Sequence, residues 1–247
     1  MIKKILKRVL AISLLLIVVG YGIFAMSHFS KKSAYAECKA VDVKLTDAGE
    51  EILISEDYIY NLVTKSEYNP IGKQSDAIDT KAIEAFIEKN KIVKNAEVYV
   101  TNSGKMKIKV SQRIPLYKIM NEGGNFFVDQ DGVMMPAQSV FAAKLPIVSG
   151  HIEKDFAANE LRNFVLYLQK NPFWEQQIEQ ICVHSNREVE LIPKVGNHRI
   201  LLGQLTDVDK KLNRLMKFYQ KGLNEVGWNR YAILNLKYDK QIVCTKR

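Results

Sequence analysis

The chain has 247 residues, 47% hydrophobic and 26% charged, with 36 Lys plus Arg against 27 Asp plus Glu, a formal charge of +9. These proportions exclude wholesale disorder, a collagen-like repeat and a polytopic membrane protein, and three cysteines exclude a disulfide-dense scaffold. The charge is uneven: residues 1–37 carry six basic side chains and one acidic, leaving 30 and 26 in the 210 that follow, a net +4 that makes no nucleic-acid footprint.

The uncharged run from Val9 to Ser30 is 22 residues long. As a helix it would extend about 33 Å, enough for a hydrocarbon core of about 30 Å. Lys3, Lys4, Lys7 and Arg8 precede it, and Lys31, Lys32 and Lys39 follow, partly offset by Glu37. The positive-inside bias therefore keeps the N-terminus cytoplasmic and sends the bulk of the chain across the membrane. The expected layout is a tail over 1–8, a transmembrane helix over 9–30 and a linker over 31–37. The alternative is a cleaved signal peptide ending near Ala34-Tyr35-Ala36. Against it, the apolar run exceeds the usual h-region and Lys31-Lys32 interrupts the approach to the site.

Beyond the anchor, Ala40–Leu45 alternates as a short strand. Ser55 is placed to cap a helix carrying Tyr58, Ile59, Leu62 and Val63, and Asp79 to cap a second with Ala82, Ile83, Phe86 and Ile87. Two period-2 strands follow, Ala96/Val98/Val100 and Met106/Ile108/Val110, joined at Asn102-Ser103-Gly104. The order β-α-α-β-β predicts two helices on a three-stranded sheet. Lys105, Lys107 and Lys109 read as the solvated face of that sheet rather than a nucleic-acid stripe.

Pro115 marks a boundary. A second block runs through Leu116–Met120, a turn at Glu122–Asn125, Phe126–Asp129 and the tight turn Asp131-Gly132, then reaches Leu145-Pro146-Ile147-Val148-Ser149-Gly150. A helix carrying Leu161, Phe164, Val165 and Leu168 stops before Pro172. Strands are expected at Ile178–Val183, Glu188–Ile192 and Arg199–Leu202, and a helix from about Asp207 to Lys221. The chain closes with strands at Tyr231–Tyr238 and Gln241–Cys244, around a turn at Asp239-Lys240. The block reads as a larger, mostly antiparallel α+β unit whose last strand is a natural sheet edge.

Chemistry-bearing patterns are sparse. Cys182 and His184 would share one face of a strand, but two ligands do not hold zinc. Asp129-x-Asp131-Gly132 lacks the later acidic ligands of a calcium loop. No G-x-S-x-G, P-loop, H-E-x-x-H or glycine-rich dinucleotide turn occurs. The expectation is a protein with no catalytic residue, no metal and no cofactor.

Four segments in order resemble the FtsQ/DivIB cell-division family. The β-α-α-β-β block is similar to a POTRA domain and ends in Val110-Ser111-Gln112-Arg113-Ile114-Pro115, like the family's strand-Q-R-x-P junction. Phe126–Gly132 resembles its aromatic-x-D-x-x-G hairpin, and Leu145–Gly150 its L-P-x-x-x-G segment. Ile200-Leu201-Leu202-Gly203, the Lys210–Tyr219 helix and Leu234–Tyr238 resemble its C-terminal end. Relatives often carry a basic residue after that glycine, where Gln204 stands here.

The resemblance implies an α+β chain with a transmembrane helix, a POTRA-like domain over 38–113 and an FtsQ-type β domain over 114–247. It implies a non-enzymatic divisome scaffold in the bacterial inner membrane, with its bulk periplasmic and its place at the division septum. There it would recruit FtsB and FtsL in support of septal peptidoglycan synthesis. The implied chemistry is strand addition at the last strand, carried over to Tyr238, Gln241, Ile242, Val243 and Cys244, with Lys237 as a salt-bridge donor to an acidic partner. The alternative is a POTRA-containing envelope assembly or secretion factor, although about 130 residues after the block are few for an outer-membrane barrel.

Overall fold

The computed structural model describes residues 12–26, 37–46, 52–137 and 145–247. Residues 12–26 form a helix (α1) whose apolar side chains are exposed. The expected span over 9–30 extends past the described residues at both ends, as do the tail over 1–8 and the processing site at Ala34–Ala36. No helix among the described residues is long and apolar enough to cross a membrane. The chain divides into two units, Met1–Ala48 with Ile54–Gln112, and Gly49–Leu53 with Arg113–Arg247.

In the first unit, β1 (Ala40–Thr46), α2 (Glu56–Thr64), α3 (Thr80–Glu88), β2 (Val93–Val100) and β3 (Lys105–Gln112) follow the order read from the sequence. Ser55 caps α2 by accepting from the Tyr58 N–H, and Asp79 caps α3 by accepting from Ala82. β3 lies between β1, which runs parallel to it, and antiparallel β2. Met106, Ile108 and Val110 are fully buried beneath Ile59, Val63, Ile83 and Ile87, while the alternating lysines turn away, Lys109 lying over the Tyr99 ring.

The second unit is a nine-stranded sheet. Its strands are β4 (Pro115–Asn121), β5 (Gly124–Asp129), β6 (Met134–Pro136), β7 (Ile147–Gly150), β8 (Ile178–Val183), β9 (Val189–Pro193), β10 (Arg199–Gly203), β11 (Tyr231–Asn235) and β12 (Val243–Lys246). They are ordered β12-β11-β10-β9-β8-β7-β4-β5-β6. Five of the eight pairings are antiparallel and three parallel, so the sheet is more mixed than expected. One register row, Ile119, Val148, Ile181, Leu191, Ile200, Leu234 and Cys244, crosses seven strands on the face that packs against the helices. All of these but Cys244 are buried to within 1%. Against this core lie α4 (Lys154–Phe156), a π turn (Ala157–Leu161), α5 (Arg162–Gln169), α6 (Pro172–Gln177), α7 (Val208–Phe218), a second π turn (Tyr219–Leu223) and α8 (Asn224–Val226).

Two differences from the sequence reading have local causes. The sequence places no helix after Pro172, but proline suits a first helical position and the Asn171 side chain accepts from Phe173 and Trp174, so α6 starts there. The strand expected over Tyr231–Tyr238 stops at Asn235, whose side chain turns back to accept the Lys237 N–H at 3.0 Å.

The quoted sequence segments meet at specific contacts. Arg113 of the Q-R-x-P junction donates to the buried Asp129 of the aromatic-x-D-x-x-G hairpin at 2.8 Å. The other Asp129 oxygen accepts from the Asp131 and Val133 N–H groups and so shapes the turn. Gly150, at φ 97°, lies so close to β8 that a Cβ there would stand 2.1 Å from the Val183 carbonyl oxygen.

Candidate partner-binding edge

A strand at the end of a sheet leaves every second N–H and C=O unpaired, which makes it a template for another chain. Among the described residues four strands stand at sheet edges, and at three of them a side chain or a proline occupies part of the edge. In the hairpin Thr101 donates to Lys105 O, so the odd-numbered residues of β2 pair with β3 and the even-numbered ones point outward. The outward N–H groups of Ala96 and Val98 donate to the carboxylates of Glu88 and Glu84 on α3, at 3.0 and 2.8 Å. On β1 the Leu45 N–H is taken by Glu56 of α2 at 3.1 Å. β6 is three residues long and ends in Pro136, which has no N–H to offer.

The fourth edge is β12, and no carboxylate closes it. The Leu236 N–H donates to Leu201 O, so residues 234 and 236 face β10 and the odd-numbered residues of β11 face β12. Ile233 and Asn235 thus exchange main-chain bonds with Thr245 and Val243, and Cys244, opposite Leu234, turns its N–H and C=O outward. Ile242 and Cys244 pack against the core, while Val243 is 43% exposed and Thr245 and Lys246 face solvent. Partial burial pushes the Cys244 thiol up. The far end is pinned by Arg247, whose guanidinium bonds the Asn197 carbonyl and whose N–H bonds that of Arg230.

The expected site residues divide between the strand and its approach. Val243 and Cys244 lie in β12, whereas Gln241 and Ile242 precede it, because the strand starts two residues later than read and continues through Thr245 and Lys246. Lys240 adopts a left-handed φ of 59° in the connecting turn, and Tyr238 is 51% exposed. Lys237 already has a partner: its ammonium lies 2.9 Å from both carboxylate oxygens of Glu188 and holds that carboxyl below the usual range. Gly203, at φ 76°, makes room for it, since a Cβ there would stand 2.8 Å from Lys237 Cγ. Gln204 donates to the Asn186 carbonyl across the same corner.

The sequence reading missed a shallow groove beside the approach to β12, about 430 Å³ in volume and lined by Arg214, Lys217, Phe218, Lys221, Gly222, Lys240, Gln241 and Ile242. Arg214, Lys217 and Lys221 recur at helical spacing, a signal visible in the sequence, but only the fold sets them beside residues 240–242.

Beneath the pinned end, His198 is buried, with Nε2 2.8 Å from the Tyr219 hydroxyl and Trp228 beside the ring. Burial, with the Arg247 charge adding to it, lowers its pKa to about 4. His184 stands 3.5 Å from Glu190, and Cys182 contacts Ser149. Among the described residues no three His, Cys, Asp or Glu side chains are grouped to hold a metal.

Comparison with known families finds a POTRA-like domain over residues 36–111 and the family described as FtsQ/DivIB, C-terminal related, over residues 114–245. Comparison with the curated proteins finds no match. The second family covers more than half of the chain and its span takes in residues 243–245 of the edge strand with its approach, so the chain belongs to the FtsQ/DivIB family, which is one of divisome scaffolds rather than enzymes.

Proposed function

We propose that this chain is a membrane-anchored divisome scaffold that takes up a strand of FtsB, in complex with FtsL, along β12 and so supports septal peptidoglycan synthesis. The observation that carries the reading is the outward main chain at Cys244, on a sheet edge where, among the described residues, no carboxylate or proline occupies the outward groups as they do in part on β1, β2 and β6. Main-chain bonds supply affinity in strand addition, and alternating side chains supply selection. Here Val243 and Thr245 face outward from the sheet while Ile242 and Cys244 hold the strand to the core. The anchor reading rests on the apolar run over 9–30 and on α1, which is apolar around its described circumference. Partners held in the same membrane meet at a high effective concentration, so a short edge suffices.

The test is a depletion strain complemented by a fluorescent full-length fusion. Septal rings, filamentation on depletion and retention of the FtsB ectodomain by the purified chain are expected. Diffuse envelope fluorescence with normal division would overturn the reading.

A further inference from the structure

The two sides of the first unit differ in charge. Its strand segments, residues 37–46 and 93–112, carry six basic and three acidic side chains, whereas the helical layer over 52–92 carries five basic and seven acidic. On the sheet face turned away from the helices, Lys105 and Lys107 stand on the central strand β3 and Lys44 on β1, with Asp42 and Tyr99 on either side of Lys107. Lys109 is already engaged, by Glu97 at 3.9 Å and by the Tyr99 ring. Among the described residues no carboxylate pairs with Lys44, Lys105 or Lys107. The Tyr99 ring remains 40% exposed. The chain enters this sheet at the end where Lys105 lies: the Lys39 N–H donates to the Gly104 carbonyl at 2.8 Å, and Ala40 is opposite Lys105. Lys39 follows Ser30, the end of the apolar run, by nine residues, at most about 30 Å of extended chain. The basic face is thus tethered within reach of any bilayer that holds the run.

We propose that this face of the first unit lies on the anionic phospholipid headgroups of the membrane that holds the anchor, with the ammonium groups of Lys44, Lys105 and Lys107 against the phosphates and Tyr99 among the headgroups. This rests on the anchor reading and extends it by a second membrane contact, which fixes which side of the unit faces the bilayer. A lysine near an anionic surface is attracted within about a Debye length, and its long stem lets the charge reach a phosphate while the sheet stays folded. Tyrosine suits the headgroup level because its ring is apolar and its hydroxyl polar. Asp42 offsets one of the three cations, and the short tether compensates by keeping the face at a high effective concentration near the surface.

The experiment places the full chain in nanodiscs of phosphatidylcholine, with or without phosphatidylglycerol, and reads the labelling rate of each lysine by an amine-reactive ester through mass spectrometry. At about 50 mM NaCl, Lys44, Lys105 and Lys107 are expected to react at least about fivefold more slowly in the phosphatidylglycerol discs, and at about 500 mM equally in both. Lys81 and Lys89, exposed on the helical side, should keep one rate throughout. In Lys105→Gln/Lys107→Gln, with the melting temperature as folding control, the difference at Lys44 should shrink below about twofold. Equal rates in both discs, with the chain retained in them, overturn the lipid contact and leave the anchor standing. A chain recovered in neither disc overturns the anchor reading and this contact with it. Slowed labelling that ignores lipid charge and grows with the number of chains per disc assigns the face to a second copy and overturns the lipid contact.

Discussion

Replacing Cys244 by proline should separate the main-chain role of β12 from everything else the strand does. The Cys244 N–H points away from β11, so its loss breaks no bond of the internal ladder. Proline is tolerated at such an outward position of an edge strand; the half-buried thiol it replaces makes a weak hydrogen bond to the Ile242 carbonyl, and the ring keeps apolar atoms against the core. The folding cost should be about 1 kcal/mol, mostly from the fixed φ. Binding is affected differently, because the added strand would find no donor at the centre of a four-residue edge. Leaving its carbonyl buried and unpaired costs about 1–3 kcal/mol, a loss of roughly 5- to 150-fold in affinity. Cys244→Ala keeps the N–H and should stay within about twofold of the parent. Calorimetric titration with the FtsB ectodomain, alongside thermal unfolding, reads both quantities. A folded Cys244→Pro chain that binds like Cys244→Ala would refute the reasoning.

Other consequences can be measured without the partner. Removing both carboxylates with Glu84→Ala/Glu88→Ala frees the Ala96 and Val98 N–H groups, and light scattering should then show self-association absent from the parent. Gly150→Ala places a Cβ against the Val183 carbonyl at a positive φ and should cost more than about 3 kcal/mol in denaturant unfolding. His198 titrates near 6.5 when unfolded and at about 4 when folded, so the unfolded state binds the proton first as pH drops. Its contribution is whole above pH 6.5, falls between 6.5 and 4, and reaches a total loss of roughly 3 kcal/mol. In His198→Phe the slope of stability against pH over that interval should be shallower; an unchanged slope would show that the ring does not titrate this way.

Local patterning made much of the architecture legible. Alternation in Lys105–Gln112 and helical spacing in Thr80–Glu88 gave the first unit because each element there buries one face. The expected place of β12 at a sheet edge is the one observed. Its start differs, because Gln241 and Ile242 alternate as a strand would, while Lys240 takes a left-handed turn that delays pairing until Val243. Long-range pairings were invisible: nothing in the sequence joins Arg113 to Asp129 or Lys237 to Glu188. The second pair gives Lys237, expected to face an acidic partner, an ion pair within the chain. Glu56, Glu84 and Glu88 carry no sequence signal of their bonds to outward N–H groups of β1 and β2, because only the fold brings the helices to those strands.

Amide hydrogen exchange on the full chain, with and without the FtsB ectodomain, tests strand addition most directly. The Cys244 amide should exchange quickly in the free chain and become strongly protected in the complex, while Leu45, Ala96 and Val98 keep their free-state rates. Protection that appears on β1 or β2 with Cys244 still exchanging freely would contradict the account.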